Sequence, residues 1–171
     1  MRLKLTWSFA LLAALVTVYI ARTHATPALG FVGTTLALGR FGDIDASNYQ
    51  LAPPLNPGVQ PWLSLQKTKG QSDVYVQNNV WQPGGHTGWH THPGHSLIIV
   101  TAGAVTTYEG DDAKCRPHVY TVGMGFVDEG GDHVHVIRNE DSVEARTVAV
   151  QLIPAGATRR QDADGNPACP F

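Results

Sequence analysis

The sequence predicts an all-β protein, built as one β-barrel with additional segments at both ends. Eighteen glycines and eleven prolines divide the chain of 171 residues into short apolar runs, a pattern that favours many turns. No stretch beyond the N-terminus shows sustained helical periodicity. A chain of this length is enough for one domain with a sizeable core.

Residues 1–25 have the layout of a secretory signal peptide. Arg2 and Lys4 precede an apolar run of seventeen residues, Leu5 to Ala21, and small residues follow at Thr23 and Ala25. An uncleaved N-terminal anchor is the alternative, since seventeen residues lie at the short edge of what spans a bilayer. Both alternatives predict an exported protein, either secreted or held in the periplasm or at the cell surface.

The rest of the chain divides into three parts. Residues 26–61 are predicted to be an extended lead-in with a short strand at Thr34 to Leu38. Residues 62–155 are predicted to form the barrel, and residues 156–171 a polar tail of non-repetitive surface coil. Alternating or continuous apolar runs predict barrel strands at 62–66, 73–82, 97–100, 104–109, 117–122 and 146–153.

Four histidines lie within ten residues of the stretch GGHTGWHTHPGHSLIIVTAG, which runs from Gly84 to Gly103. On a β-strand, His90 and His92 point to the same face. Pro93-Gly94 suits the centre of a type II turn, and the apolar run after it is predicted to be a buried return strand. These residues together form one wall of a pocket.

A second stretch, GMGFVDEGGDHVHVIRN, runs from Gly123 to Asn139. A glycine turn at Gly130-Gly131 separates a short apolar run from a strand that carries His133 and His135 on one face. Asp128 and Glu129 precede this turn and are predicted to be solvated. His118 is predicted to lie on the surface or on a strand, and Trp89 to pack outside the inner barrel.

These two stretches resemble the two motifs of the cupin superfamily. The first has the form G-x5-H-x-H-x3,4-E-x6-G, and the second is roughly G-x5-P-x-G-x2-H-x3-N. The matching residues are Gly84, His90, His92 and Gly103 in the first, and Gly123, Gly131, His135 and Asn139 in the second. The resemblance covers residues 62–155 and implies a double-stranded β-helix, the jelly-roll barrel of small secreted bacterial cupins, around a pocket.

The chain departs from this pattern at two positions. Ser96 stands where the family usually has a metal-binding Glu, and Glu129 stands where the second motif usually has Pro. The resemblance therefore implies a site of three histidines without a carboxylate.

Neutral imidazole is a common ligand of transition metals, and three imidazoles leave coordination positions open. We expect His90, His92 and His135 to bind one divalent transition metal ion, which could be Zn, Mn, Ni, Cu or Fe. Further candidates for the metal or the pocket are His86, His95, Ser96 and His133. The alternative is that these histidines are hydrogen-bonded barrel residues without an ion.

Cys115 and Cys169 are the two cysteines of the chain. In an exported protein such a pair is typical of a disulfide, which would attach the C-terminal tail to the barrel. A redox pair or thiolate ligands are the alternative, although the two cysteines are not spaced as C-x-x-C.

Charge and family resemblance together limit the functions to consider. The net charge of −2 and the absence of a basic patch argue against nucleic acid and anionic membrane surfaces as partners. The first hypothesis is a metal-dependent oxygenase, hence an oxidoreductase, that acts on a small organic substrate. The alternatives are a non-catalytic protein that binds a small ligand or a metal, and a metal-free structural barrel. Cupins often dimerise, so a homodimer is also expected.

Overall fold

Most of the strands predicted from alternating and apolar runs are present in the computed structural model, which describes residues 26–50 and 62–171. No helix occurs in these two ranges, and so none that could cross a membrane. The predicted signal peptide and residues 51–61 of the lead-in lie outside them. The described chain forms a nearly closed antiparallel β-barrel, which confirms the all-β jelly-roll prediction.

Ten of the twelve strands in these ranges belong to one antiparallel sheet. Its main path runs β12-β5-β10-β4-β11-β6-β9, with β1 paired to β4, β7 to β10, and β8 to β7. The remaining two strands, β2 and β3, pair with each other. The strands are β1 (Leu29–Phe41), β2 (Asp45–Gln50), β3 (Trp62–Lys67), β4 (Ser72–His86), β5 (His90–Thr91), β6 (Ser96–Ala102), β7 (Ala104–Glu109), β8 (His118–Thr121), β9 (Gly125–Asp128), β10 (His135–Arg138), β11 (Ala145–Pro154) and β12 (Gln161–Asp162).

The lead-in contributes more to the sheet than the sequence indicates. The predicted short strand is thirteen residues long, from Leu29 to Phe41, and pairs with β4 along its length. Trp62–Lys67 is a strand as predicted, but it pairs with β2 in the separate two-stranded sheet. The barrel sheet therefore includes part of the lead-in and excludes β3.

The inner face of the barrel is less apolar than the alternation in the sequence indicates. Along β11 the buried residues include Thr147, Ala149 and Gln151, while Val148 and Val150 lie on the other face. Apolar packing concentrates in two clusters of buried side chains. The smaller consists of Trp89, Tyr108, Val136 and Cys169. The larger, called the apolar cluster below, consists of Trp81, Ile98, Val100, Val105, Ile137, Ala145 and Ala149.

The C-terminal tail packs against the barrel and is not surface coil. A disulfide joins Cys115 to Cys169, as predicted, and closes a loop with a sequence separation of 54. Strand β12 pairs with β5, which carries His90. Trp89 is buried beside Cys169 and stacks on the ring of Phe171. The tail therefore covers the end of the barrel where the histidines lie.

Candidate metal centre

Two strands and one turn bring the three candidate histidines together. His90 begins β5 and lies directly opposite His135, the first residue of β10. His92 follows β5 and is held by the glycine turn, because the backbone N–H of Gly131 donates to the His92 carbonyl at 2.7 Å. Gly130 has a φ of +68° and lies so close to the His92 ring that a Cβ would collide with it.

The three rings are buried and adjacent. The ring centroids are 4.4 Å apart for His90 and His135, 5.3 Å for His92 and His135, and 6.1 Å for His90 and His92. Residues from two separate stretches of the chain therefore converge inside one sheet.

Each of these rings makes a hydrogen bond to a backbone carbonyl through Nδ1. His90 Nδ1 donates to Gly88 at 2.9 Å, His135 Nδ1 to His133 at 3.3 Å, and His92 Nδ1 to Gly94. Because a carbonyl oxygen can only accept, Nδ1 carries the proton. In the neutral ring, Nε2 then presents a lone pair, which is the form that binds a metal ion.

Asp128 ends β9, and its carboxylate lies beside Nε2 of two of these histidines. Its Oδ2 lies 2.8 Å from His92 Nε2 and 3.0 Å from His135 Nε2, yet neither Nε2 makes a hydrogen bond of normal geometry. The ligand atoms of His92, Asp128 and His135 all lie within 4.8 Å of one another. A carboxylate and two nitrogen lone pairs in this arrangement fit a shared cation.

The position of Asp128 corrects the prediction that it is solvated, because only 9% of the residue is exposed. Residues on a strand alternate between faces, so Asp128 shares the inward face of β9 with Phe126. That alternation, read along Gly125–Asp128, is the signal in the sequence that could have found this carboxylate.

Burial and charge keep the site ready to bind a cation. Burial, together with the nearby charges of His135 and Arg160, lowers the pKa of His90 to about 3. Burial alone would raise the pKa of Asp128, but hydrogen bonds from the His135 and His92 side chains and their positive charge bring it well below its usual range, with protons in the place that a metal ion would take. The carboxylate is therefore ionised and the His90 imidazole neutral at physiological pH.

Two cavities border this cluster. The larger, about 270 Å³, is lined by His90, His92, Asp128 and Ser96 together with further polar and apolar residues. The smaller, about 100 Å³, is lined by Asp128, His135, Glu109 and other residues. Space for a ligand therefore adjoins the candidate ligands on two sides.

The buried polar atoms without a hydrogen-bond partner in the described ranges all belong to residues that line one of these cavities. Buried polar groups in proteins are normally paired, so such a concentration indicates a site that binds ions or polar ligands. The atoms are Asn79 Oδ1, Trp81 Nε1, His92 Nε2, Glu109 Oε2, Asp128 Oδ1, His135 Nε2 and Arg160 Nη2.

Only some of the other predicted candidates line a cavity beside the three histidines. Ser96 is buried, lines the larger cavity and pairs directly with Asp128 across β6 and β9. His133 lines the smaller cavity, with Nδ1 at 3.2 Å from Glu109 Oε2.

His86 and His95 line neither cavity, and His118 is exposed on β8 as predicted. The structure therefore does not bring His86 or His95 to the cluster.

The fold and the cluster together define a jelly-roll barrel with a candidate histidine–carboxylate metal centre. No protein-family model matches the chain, and no curated protein is significantly similar to it in sequence.

Solved structures that match about half of the chain include a cupin superfamily protein. A cupin superfamily protein from Desulfitobacterium hafniense is 12% identical, with a TM-score of 0.41 over 47% of this chain and 67% of that one. An oxalate oxidase is 22% identical, with a TM-score of 0.40 over 48% of this chain and 46% of that one. A polyketide cyclase from Streptomyces resistomycificus is 18% identical, with a TM-score of 0.44 over 56% of this chain and 65% of that one.

Proposed function

We propose that this protein binds one divalent transition metal ion through Nε2 of His90, His92 and His135 and a carboxylate oxygen of Asp128. The observation that carries the proposal is the convergence of two Nε2 lone pairs on Asp128 Oδ2. His90 completes the set because its Nδ1 is held in the same way and its ring lies next to His135. A set of three nitrogens and one oxygen suits Zn, Mn, Ni, Cu or Fe.

A metal-free structural barrel is the less favourable alternative. It would balance the Asp128 carboxylate only through a proton on His92, whose pKa the contact with Asp128 raises against the effect of burial, and it would leave His135 Nε2 and Asp128 Oδ1 without partners. Burying polar groups without partners destabilises a fold by roughly 1–3 kcal/mol each. The same groups are matched when a cation binds among them.

The ion would contact a small organic molecule bound in the adjoining cavity. The activity that we propose to test first is that of a metal-dependent oxidoreductase that uses O₂. The ion would supply Lewis acidity at the bound substrate. Glu109 lines the smaller cavity beside His135, and its Oε2 makes no hydrogen bond of normal geometry. Burial raises the pKa of Glu109, so this oxygen is suited to accept a proton from a substrate.

A non-catalytic protein that binds a small ligand or the ion itself is the second candidate function. The cavity of about 270 Å³ supports it equally. Oxygen uptake in the presence of catechols, flavonols and diketones separates the two. Consumption that depends on both substrate and metal identifies the enzyme, whereas binding without consumption identifies the binding protein.

Metal content tests the proposal directly. We expect the wild type to hold about one ion per chain after gentle purification, and a H90A/H92A variant to hold almost none. The matched control is H118A, which removes an exposed histidine of β8 that lines neither of the two cavities. Equal metal in the wild type and the double variant would refute the site.

We also propose that the chain is exported by the signal peptide at residues 1–25. The disulfide supports this because disulfides persist in oxidising compartments. Mature protein recovered from outside the cytoplasm should begin at Thr26 if cleavage follows Ala25. A mature chain that begins at Met1 or Arg2 would instead identify the segment as an anchor.

A homodimer is proposed from the outer face of the barrel. An apolar row crosses the sheet in register, since Val127 pairs with Leu97, Leu97 with Val150, and Val150 with Val76. Val127 is 57% exposed and Leu97 is 52% exposed. Such apolar patches are typical of protein interfaces, and symmetric pairing is the commonest assembly. Light scattering should give twice the chain mass, and L97K should reduce it to a monomer.

A further inference from the structure

The C-terminal tail places two arginines in the wall of the larger cavity. Arg159 and Arg160 lie just before β12, which pairs with the strand that carries His90. Both arginines line the same cavity as His90, His92 and Asp128. The sequence gives little sign of this, because a polar tail with paired arginines is usually solvated.

One hydrogen-bond donor of Arg160 has no acceptor in the described chain. Its Nε donates to Asp162 Oδ1 at 2.6 Å, but its Nη2 is buried and makes no hydrogen bond. A guanidinium presents its donors as a planar fork that fits a carboxylate or phosphate. One arm of the fork therefore has no partner in the described chain, and Arg160 lines the cavity.

Arg159 adds a positive charge that is not balanced by a carboxylate. Nε donates to Gln151 Oε1 at 3.0 Å and Nη1 to Thr35 Oγ1 at 3.2 Å, while Nη2 donates to Gln77. Its guanidinium carbon lies 3.9 Å from the centroid of the Tyr75 ring. These partners are all neutral, so they fix the side chain in place and leave its charge uncompensated.

Charge around the cavity therefore favours an anion. Asp128 is the acidic residue among those that line it, and the proposed cation would more than neutralise this carboxylate. Asp162 offsets the charge of Arg160, but nothing in the described ranges offsets that of Arg159. An anionic ligand would complete the balance.

We propose that the larger cavity binds a small organic carboxylate, held through its carboxylate group by Arg160 with Arg159 contributing charge. This inference rests on the proposed metal-binding function, because the rest of the ligand would lie toward the metal centre. Phe31, Trp81 and Ile98 also line the cavity and suit an organic body better than an inorganic anion. The volume of about 270 Å³ lies just below the roughly 300–1,000 Å³ of sites for drug-sized ligands, so the ligand is small.

Isothermal titration calorimetry with matched acids and amides tests the proposal. The probes are benzoate against benzamide and malonate against malonamide, titrated into metal-loaded wild type, R160Q and R146Q. Arg146 is the control, since it is exposed, pairs with Glu144 and does not line the cavity. Sulfate and phosphate are titrated in parallel.

We expect at least one acid to bind at least about tenfold more tightly than its amide. R160Q should weaken binding of that acid by about 10- to 100-fold, which is the typical loss for a hydrogen bond to a charged group. It should leave binding of the amide unchanged, and R146Q should bind like the wild type. R160K, which keeps the charge without the planar fork, should fall between the wild type and R160Q.

Three results would overturn the inference. These are equal binding of acid and amide, equal binding of the acid by R160Q and wild type, or sulfate and phosphate binding as tightly as any carboxylate. Elemental analysis of the same samples separates this failure from failure of the proposed function. If the wild type holds no metal, the metal centre is refuted, while dependence of carboxylate binding on Arg160 still decides the role of the arginine.

Discussion

Ser96 and Asp128 lie directly opposite each other on the antiparallel strands β6 and β9. Ser96 occupies the position where the sequence motif usually has a glutamate, and Asp128 supplies a carboxylate from the neighbouring strand. The two residues face the same cavity. A carboxylate therefore reaches this cavity from β9, directly opposite Ser96.

This relationship predicts that Asp128 and Ser96 contribute unequally to metal binding. D128N keeps the shape of the side chain but removes its charge, so we expect at least about tenfold weaker metal binding, as is typical even for residues that only support ligands. S96A should change metal affinity less than twofold. Competition with a chelator measures both, and a further variant, S96E/D128A, should recover part of the affinity. Equal affinity of D128N and wild type would exclude Asp128 as a ligand.

The contacts of the Asp73 carboxylate predict that the fold loses stability in acid. The carboxylate accepts hydrogen bonds from Arg40 Nε at 2.8 Å, Arg40 Nη2 at 2.9 Å and the backbone N–H of Gly156 at 2.9 Å. The Arg40 and Gly156 contacts lower the pKa of Asp73 to about 2. Because the folded pKa lies below the unfolded value of 3.8, the contribution is complete above about pH 4 and is lost as the pH falls toward 2.

Denaturant titrations between pH 2 and pH 7 measure this contribution. D73N should be less stable than wild type at pH 7, and its stability should change less between pH 4 and pH 2. D45N is the control, since Asp45 forms an exposed pair with Lys67. A D73N variant with the same acid profile as wild type would contradict the prediction.

The disulfide predicts a large effect of reduction on stability. Cys115 and Cys169 close a loop with a sequence separation of 54, and the lost chain entropy of the unfolded state is worth about 4 kcal/mol. C115S/C169S should therefore unfold at a lower denaturant concentration, and a reducing agent should destabilise the wild type but not the variant. Reduction without effect would show that the tail is held by its other contacts.

Truncation of the two adjacent isoleucines of β6 should change the stability of the fold by different amounts. Ile98 is 4% exposed and belongs to the apolar cluster, whereas Ile99 is 53% exposed. I98A should lower the free energy of unfolding by about 2–5 kcal/mol because it leaves a cavity. I99A should change that free energy by less than about 0.5 kcal/mol in the monomer. Similar losses for both would mean that the outer face is also buried, as in the proposed dimer.

Some of the candidate site could be predicted because its signals are local. Histidines at 90 and 92 and an apolar return strand lie within a short stretch, and local backbone preferences determine how such a stretch folds. The same is true of the glycine turn before His135. Two details differ from the prediction: Gly94 lacks the positive φ of a type II turn, and the return strand alternates between buried and exposed residues. Local sequence therefore indicates which histidines point inward, but the turn beside Asp128 gives the misleading indication that this residue is solvated.

The role of the tail could not be predicted, since it depends on contacts between distant residues. Arg160 reaches the cavity only because β12 pairs with β5, a partnership between positions about seventy residues apart. Alternation along β11 was visible in the sequence, but not which face would be buried. Valines alternate with Thr147 and Gln151 there, and the barrel encloses the polar set because its interior surrounds a polar cavity.

By itself the sequence determined that the chain folds as an all-β barrel with histidines on two strands, and that its two cysteines can pair. Those properties follow from side-chain periodicity, turn residues and composition, which act over a few neighbouring residues. Only the tertiary structure decided that Asp128 meets His92 and His135 and that the tail brings Arg160 to their cavity. The physical reason is that convergence of a site depends on strand order and register, which follow from packing of the whole sheet.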